Sequence, residues 1–475
     1  MTRRILGPFN RVEGDLEVRI DIQDGAVSEA WVTSPLYRGF EQILKGKPPR
    51  DALVYAPRIC GICSVSQSVA AARALAETQG LTAPENGRLA TDLTLAVENI
   101  ADHLTHFYMF FMPDFCRDTY AGETWHEGIA RRFRAIKGEA APAFLAARAE
   151  FMHMLGILAG KWPHTLSVQP GGSTRPIEAQ EVVRLLVILS GFRKHLEQHV
   201  YGTTLESFAS LASAEALMAW SHEGQADLQR FWRVSEALAL AKLGRLDMPV
   251  MSYGSFGLFQ PGVMRGSLRT AINTQAITED AAHGWMAQGP QTLHPFDGVT
   301  VPDADRADAY SWCKAPRLAG EPVQVGAICR QIVDGQHLAQ ALHAGEGVNV
   351  RTRIIGRFIE IARLVPAMET WVRALRPREP FCETIPLPDH ADGVGLVEAA
   401  RGSLGHWLRI RNGHIHNYQI VAPTTWNFSP RDAAGIPGPL EQALVGAPVR
   451  PGEDDPVSVQ HIVRSFDPCM VCTVH

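Results

Sequence analysis

Between Leu16 and Ile22 apolar and polar residues alternate: Leu16, Val18, Ile20 and Ile22 share one face, and Glu17, Arg19 and Asp21 the other. Asp24-Gly25 follows, and Val27 to Thr33 alternates again. Two such runs about an Asp-Gly pair predict a β-hairpin within residues 1–35. From Ser64 to Glu77 the chain turns Ala-rich, which predicts a helix begun at Cys63 and stopped by Gly80. Amide N–H groups at such a start favour a thiolate. Leu93, Val97, Ile100, Leu104, Phe107 and Phe111 recur at helical spacing. So do Val182, Leu185, Leu189, Phe192 and Leu196, and again Ile354, Phe358, Ile361, Val365, Met368 and Val372, where Pro366 kinks or breaks the helix.

These stripes predict a bundle of long helices over residues 60–245 and 345–376. Between them, 246–330 is rich in Gly, Pro and Asp without clear periodicity, and reads as a loop-rich excursion with short strands. Alternation returns at Val394: Leu404, His406, Leu408 and Ile410, an Asn412-Gly413 turn, then His414 to Val421. Pro423-Thr424-Thr425-Trp426-Asn427 ends that strand, which gives a sheet over 394–427. Leu440 to Asp455 reads as a surface segment, and Asp467-Pro468 as N-cap and first helical residue in a tail over 460–475. The fold class is α+β, mainly α: a central long-helix bundle with small antiparallel β-sheets near both ends of one multi-lobed unit.

The chain has 475 residues, 46% of them hydrophobic, which places it among globular proteins rather than disordered ones. A net charge of −5, with no run of Lys or Arg, argues against a nucleic-acid partner or a charged membrane surface. No apolar run is long enough for a membrane span, and the stretch from Met1 to Pro8 lacks the apolar core of a secretion signal. The expected location is the cytoplasm. There, paired cysteines are more often metal-binding or redox-active than disulfide staples.

Of the eight cysteines, four form two Cys-x-x-Cys pairs: Cys60 with Cys63, and Cys469 with Cys472, the latter followed by His475. We expect the two pairs to meet at one metal centre. Structural zinc is the commonest use of such pairs. Against it, zinc ribbons space their pairs about 15–20 residues apart, whereas these lie at opposite ends of the chain. Thiolates also select nickel and iron where geometry favours them. A disulfide oxidoreductase would need a βαβ unit beside one pair, and none is visible.

The residues around the pairs carry a resemblance. Arg58-Ile59-Cys60-Gly61-Ile62-Cys63 and Asp467-Pro468-Cys469-Met470-Val471-Cys472-Thr473-Val474-His475 resemble the two ligand motifs of nickel–iron hydrogenase large subunits. In the same order as in that family stand Arg11-Val12-Glu13-Gly14, Arg38-Gly39-Phe40-Glu41, Asp102 to Tyr108, Arg401-Gly402 with Gly405-His406-Trp407, and Pro423 to Asn427. The likeness runs from Arg11 to His475.

By that resemblance Cys60 and Cys469 are terminal nickel ligands, while Cys63 and Cys472 bridge nickel to an iron that carries carbon monoxide and two cyanides. Cys469 is then the first base when dihydrogen is split heterolytically, and Glu13 relays the proton. Taken alone, Glu13 would be a surface carboxylate at a strand start. Arg401 stands over the bimetallic site with Asp102 as its ion partner, a sensible use of a donor fork near bound cyanide. The Pro423 backbone and the Thr424 hydroxyl hold a cyanide. Glu41, His475 and the Ile420 carbonyl bind magnesium, which favours hard oxygen ligands. His103, His106, His406, His414 and His416 read as packed or hydrogen-bonded histidines.

Cys116, Cys313, Cys329 and Cys382 lack ferredoxin spacing, so iron–sulfur clusters are expected only in a partner, the family's small subunit, in an obligate heterodimer. A dimer of heterodimers is compatible with this. Asp15, Ser64, Gln67, Ala400, Ile62 and Phe110 depart from the common family pattern and resemble the hydrogen-sensing, or regulatory, subclass, which reports to a sensor kinase. The ending on His475 fits a subclass without a cleaved extension, or else a processed chain. Bulky Ile62 and Phe110 on the gas channel lead us to expect oxygen tolerance. The alternatives are an uptake hydrogenase feeding respiration and a zinc-stabilised interaction protein without catalysis.

Overall fold

In this computed structural model, residues 2–287, 289 and 291–475 are described. Strands β1 (Thr2–Leu6), β2 (Glu17–Gln23) and β3 (Ala26–Thr33) form an antiparallel sheet. The hairpin is the expected one: Asp24 and Gly25 both take positive φ, 52° and 76°, as a two-residue turn of this hand requires. The β1 strand was not anticipated. It explains why Asp21 on the polar face is buried: Arg3 grips it with two hydrogen bonds of 2.7 and 2.8 Å.

The Ala-rich helix α1 (Ser64–Gln79) starts at Cys63 and stops at Gly80, whose φ of 61° makes a left-handed cap. The first apolar stripe forms α2 (Glu85–Thr105) and continues through a π-turn over His106–Phe111. It packs against α3 (Ala140–Ala159), which in turn packs on α4 (Ala179–His195), the second stripe. The third stripe is α5 (Val350–Ala374), in contact with both α2 and α4. Pro366 does not break it: α5 is a single element of 25 residues.

The excursion carries the expected short strands between longer irregular stretches. It holds two three-stranded antiparallel sheets: β4 (Val250–Ser252), β5 (Gly262–Arg265) and β6 (Leu268–Thr270), then β7 (Ile277–Asp280), β8 (Thr292–Leu293) and β9 (Ala315–Leu318). Met251, Val263, Ile277 and Leu318 join Trp407 and Trp426 in a small separate core, so short strands with single inward residues suffice. Near the other end of the chain, β10 (Ala391–Ala399), β11 (Gly402–Arg411) and β12 (His414–Val421) pair antiparallel, with Asn412 and Gly413 as the turn.

Two expectations fail. Leu440 to Asp455 is not a surface segment over its first half: helix α6 (Pro439–Leu444) packs on β3, and Leu440, Glu441 and Leu444 are fully buried. Glu441 accepts from Val32 N at 3.0 Å and from Tyr310 Oη at 2.8 Å, so a polar residue in the interior gave a surface-like pattern. Asp467 is not an N-cap either. It sits at φ 59°, ahead of a one-turn helix α7 (Met470–Thr473) capped by Cys469, and its carboxylate turns to Arg401.

The strand β10 positions α1, and with it Cys63. An alanine Cβ at Gly395 would lie 1.8 Å from the Ala70 carbonyl oxygen, so glycine lets the helix rest on the strand backbone. Gly395→Ala is expected to destabilise by about 3 kcal/mol. Gly191→Ala, on open helix surface in α4, should gain up to about 1 kcal/mol. The shift in urea midpoint checks both.

Candidate metal centre

Four sulfur atoms from the two ends of the chain converge. The Sγ atoms of Cys60, Cys63, Cys469 and Cys472 all lie within 4.8 Å of one another, and all four residues are buried. Cys60 and Cys469 stand 3.5 Å apart, Cys63 and Cys472 3.2 Å, Cys469 and Cys472 3.0 Å, with no disulfide among them. Cys60 and Cys63 come from the turn before α1, and Cys469 and Cys472 from α7. A parallel bridge ties the tail to the Glu13 segment: Glu13 N donates to Pro468 O at 3.3 Å, and Met470 N to Glu13 O at 2.7 Å.

Thiols packed this tightly cannot ionise independently. Hydrogen bonds from Cys469 and the two other sulfurs hold Cys60 well below the ordinary thiol value. The bond with Cys469 pushes Cys63 well above it, and burial does the same for Cys472. Four thiols this close share protons rather than ionise together, so this donor set suits a soft metal ion, which would let every sulfur ionise.

Arg401, in the turn between β10 and β11, reaches Asp102 Oδ1 on α2 at 3.0 Å and Asp467 Oδ1 at 3.2 Å. Burial pushes Asp102 up to about 8. For Asp467 burial acts the same way, but Arg401 and then His106 outweigh it and hold the carboxyl below the usual value. Arg401 Nη1, Asp102 Oδ2 and Asp467 Oδ2 are buried without a hydrogen-bond partner. Orphans of this kind are rare in finished interiors and mark a place for a polar group not drawn from the chain. Thr424 Oγ1, beside them, accepts from Cys469 N at 3.2 Å, and Pro423 opens the same short buried helix. Glu13 is half-buried rather than on the surface. Burial raises its carboxyl, and the charge of Cys60 adds to this.

The residues expected at a second metal site also lie together. His475 Nε2 lies 3.1 Å from Glu41 Oε1, and Ile420 N donates to the same oxygen at 2.8 Å. His475 Nδ1–H donates to the Cys472 carbonyl at 3.0 Å, which leaves Nε2 to face Glu41. Cis ligands of an octahedral ion with bonds of about 2.1 Å stand about 3.0 Å apart, so the pair fits magnesium. The Ile420 carbonyl belongs to the same residue of β12. Burial would raise Glu41, but Lys314, His475 and Thr300 hold it down at about 2.

Sequence reasoning overlooked three residues here. Asp467 was read as a cap, although an Asp-Pro beside a ligand Cys leaves its side chain free to face inward. Gln67 was noted only as a departure, yet its Nε2 lies 4.0 Å from Cys472 Sγ, one helical turn after Cys63. Lys314, 2.6 Å from Glu279 and 3.9 Å from Glu41, lay in the stretch without periodicity. Of the five histidines read as packed or hydrogen-bonded, His103, His106 and His406 are buried and bonded to protein groups, exposed His414 bonds Asn412 O at 2.8 Å, and His416 is exposed rather than packed.

Comparison with known proteins places this geometry. The family described as nickel-dependent hydrogenase matches residues 38–124 and 143–475. The periplasmic NiFeSe hydrogenase large subunit of Desulfomicrobium baculatum is 30% identical over 505 residues, covering 99% of this chain and 94% of its own. The hydrogenase-2 large chain of Escherichia coli K12 is 28% identical, with 100% and 97% covered, and the quinone-reactive Ni/Fe-hydrogenase large chain of Wolinella succinogenes 27%, with 100% and 96%. A solved structure of the Dm. baculatum NiFeSe hydrogenase superposes with a TM-score of 0.84 at 27% identity, and one of the D. vulgaris Hildenborough Ni-Fe-Se hydrogenase with 0.85 at 27%, each covering 100% of both chains.

Replacing any one of Cys60, Cys63, Cys469 or Cys472 by Ser is expected to lower bound nickel by more than roughly tenfold. Cys116→Ser and Cys382→Ser, outside the cluster, should leave it unchanged. Elemental analysis of the purified protein checks this.

Proposed function

This chain belongs to the nickel-dependent hydrogenase family, and on that premise we propose that it activates dihydrogen heterolytically at a nickel–iron centre held by its four clustered cysteines. Convergence of sulfurs from positions 60, 63, 469 and 472 beside an unpartnered guanidinium N–H is the observation that carries the reading. The same sulfurs would accept zinc; family membership favours nickel. Cys60 and Cys469 would be terminal on nickel, Cys63 and Cys472 shared with iron. When bound, the centre, with carbon monoxide and two cyanides on iron, supplies the cleavage of dihydrogen into two protons and two electrons.

The chain's own groups do the rest. Cys469 Sγ takes the first proton, and the Glu13 carboxylate, raised by burial towards the range where it can both accept and release, passes it on. Arg401 Nη1 and the Thr424 hydroxyl supply donors for the diatomic ligands, Pro423, which has no backbone N–H, opens the turn that carries Thr424, and Asp102 and Asp467 keep the guanidinium aimed. Glu41, His475 and the Ile420 carbonyl hold magnesium and fasten the tail. Electrons leave through a small iron–sulfur subunit. Gly61, between two buried cysteines, is exposed, and apolar Val54, seven residues before it, is 37% exposed, which suits an interface on this side of the cluster.

Within that chemistry we assign a hydrogen-sensing role in the cytoplasm, with a kinase downstream, supported by Asp15, Ser64, Gln67, Ala400, Ile62 and Phe110. Uptake for respiration is the second reading. It draws on the quinone-reactive relative's name. Slow turnover and co-purification of a kinase support the sensor; rapid turnover with quinone reduction supports uptake.

Infrared bands of metal-bound carbon monoxide and cyanide in the heterodimer test the centre itself; their absence from nickel-loaded protein would refute it. Glu13→Gln is expected to slow hydrogen oxidation by about 10²–10⁴-fold with nickel and iron contents unchanged, and Glu13→Asp to retain part of the rate. Ile62→Val combined with Phe110→Leu should speed inactivation in air; an unchanged rate refutes the channel idea.

A further inference from the structure

Three buried side chains lead from the second strand-pair of the β10–β12 sheet to the ligand cluster. Tyr418 Oη lies 2.7 Å from His406 Nδ1, His406 Nε2 lies 2.8 Å from Gln67 Oε1, and Gln67 Nε2 lies 4.0 Å from Cys472 Sγ. None of the three is more than 1% exposed, so water does not compete for these contacts.

Donor and acceptor rules fix the direction of the chain from its metal end. A metal-bound thiolate only accepts, so the Gln67 amide must turn its N–H₂ to Cys472, which leaves Oε1 facing His406. An amide oxygen only accepts, so the proton of His406 sits on Nε2. His406 is a neutral imidazole: it hydrogen-bonds no carboxylate, and burial holds its pKa down at about 3. Its Nδ1 therefore carries a lone pair, and Tyr418, a phenol pushed upward by burial, donates to it. Every hydrogen bond points the same way, from phenol to sulfur, and each strengthens the next.

We propose that Tyr418 and His406 are positioning residues for the metal centre, acting through Gln67 to hold an N–H donor on Cys472 Sγ and so tune the electron density of the iron. This rests on the reading of Cys472 as a thiolate shared with iron. Hydrogen bonds to ligand sulfurs draw density from the metal and set its potential. Removing this one leaves a more basic sulfur and a more electron-rich iron, which gives more back-donation into bound carbon monoxide and a lower stretching frequency.

The test is infrared spectroscopy of the hydrogen-reduced heterodimer in the parent, Gln67→Leu, Tyr418→Phe and the double variant, with nickel and iron measured in each. Gln67→Leu and Tyr418→Phe should each move the carbon monoxide band to lower wavenumber. In the Gln67→Leu background, Tyr418→Phe should add nothing, because its route to the sulfur is gone. His406→Gln, which keeps an N–H near the Nε2 position, should stay close to the parent, while His406→Leu should shift; this pair decides if Tyr418→Phe fails to load metal. A parent without bands means that the nickel–iron reading has failed. Parent bands that stay in place in Tyr418→Phe, or shifts that simply add in the double variant, overturn the positioning role and leave the centre standing.

Discussion

Burying the last turn of a chain in the interior obliges every polar group on it to find a partner, and this obligation organises the molecule. Cys469 N is met by Thr424, the Thr473 carbonyl by Thr425, Met470 N by Glu13, and the Cys472 carbonyl by His475. Just upstream, Arg464 grips Asp114 at 2.8 and 2.9 Å and Asn10 Oδ1 at 2.7 Å. The tail thus draws together the start of the chain, the end of α2 and the β12 strand with the turn that follows it. Its ligands meet the Cys60 pair because these partners leave no other place for them.

Charge is distributed to the same end. Around the sulfurs stand Arg401, Asp102 and Asp467, all within a few per cent of full burial. Near His475, Lys314 faces Glu279 and Glu41. Buried pairs of this kind seldom add much net stability, since desolvation offsets the attraction. Their effect here is orientation: the guanidinium fork is held from two sides, and one arm is left free. Arg330, bound to Glu360 and Glu398 with all three fully buried, does a similar service between α5 and the end of β10.

How much of this could be read from the residues differs by kind of signal. The helices with long stripes and both hairpins were legible because burial there follows a simple period and their turns need Asp-Gly or Asn-Gly. The meeting of four sulfurs was legible from two Cys-x-x-Cys pairs, and the nearness of Arg401, Asp102 and Thr424 to them from motif likeness. What escaped was set by distant partners: β1 is a strand because β2 offers an edge, Glu441 is buried because Tyr310 and Val32 satisfy it, and Asp467 faces Arg401, 66 residues before it. The short strands expected in the excursion could not be placed, because two to four residues are too few to show alternation.

Because Cys469 and Cys472 are 1% and 2% exposed and His475 4%, no reagent in solution can touch an ion bound there while the last turn is docked. Departure of that ion waits on a local opening, whose free energy lies somewhere between zero and that of unfolding the whole protein. A strong chelator in excess would then extract it at a speed independent of chelator concentration, set by the breathing of a few terminal residues rather than by the strength of any metal–sulfur bond.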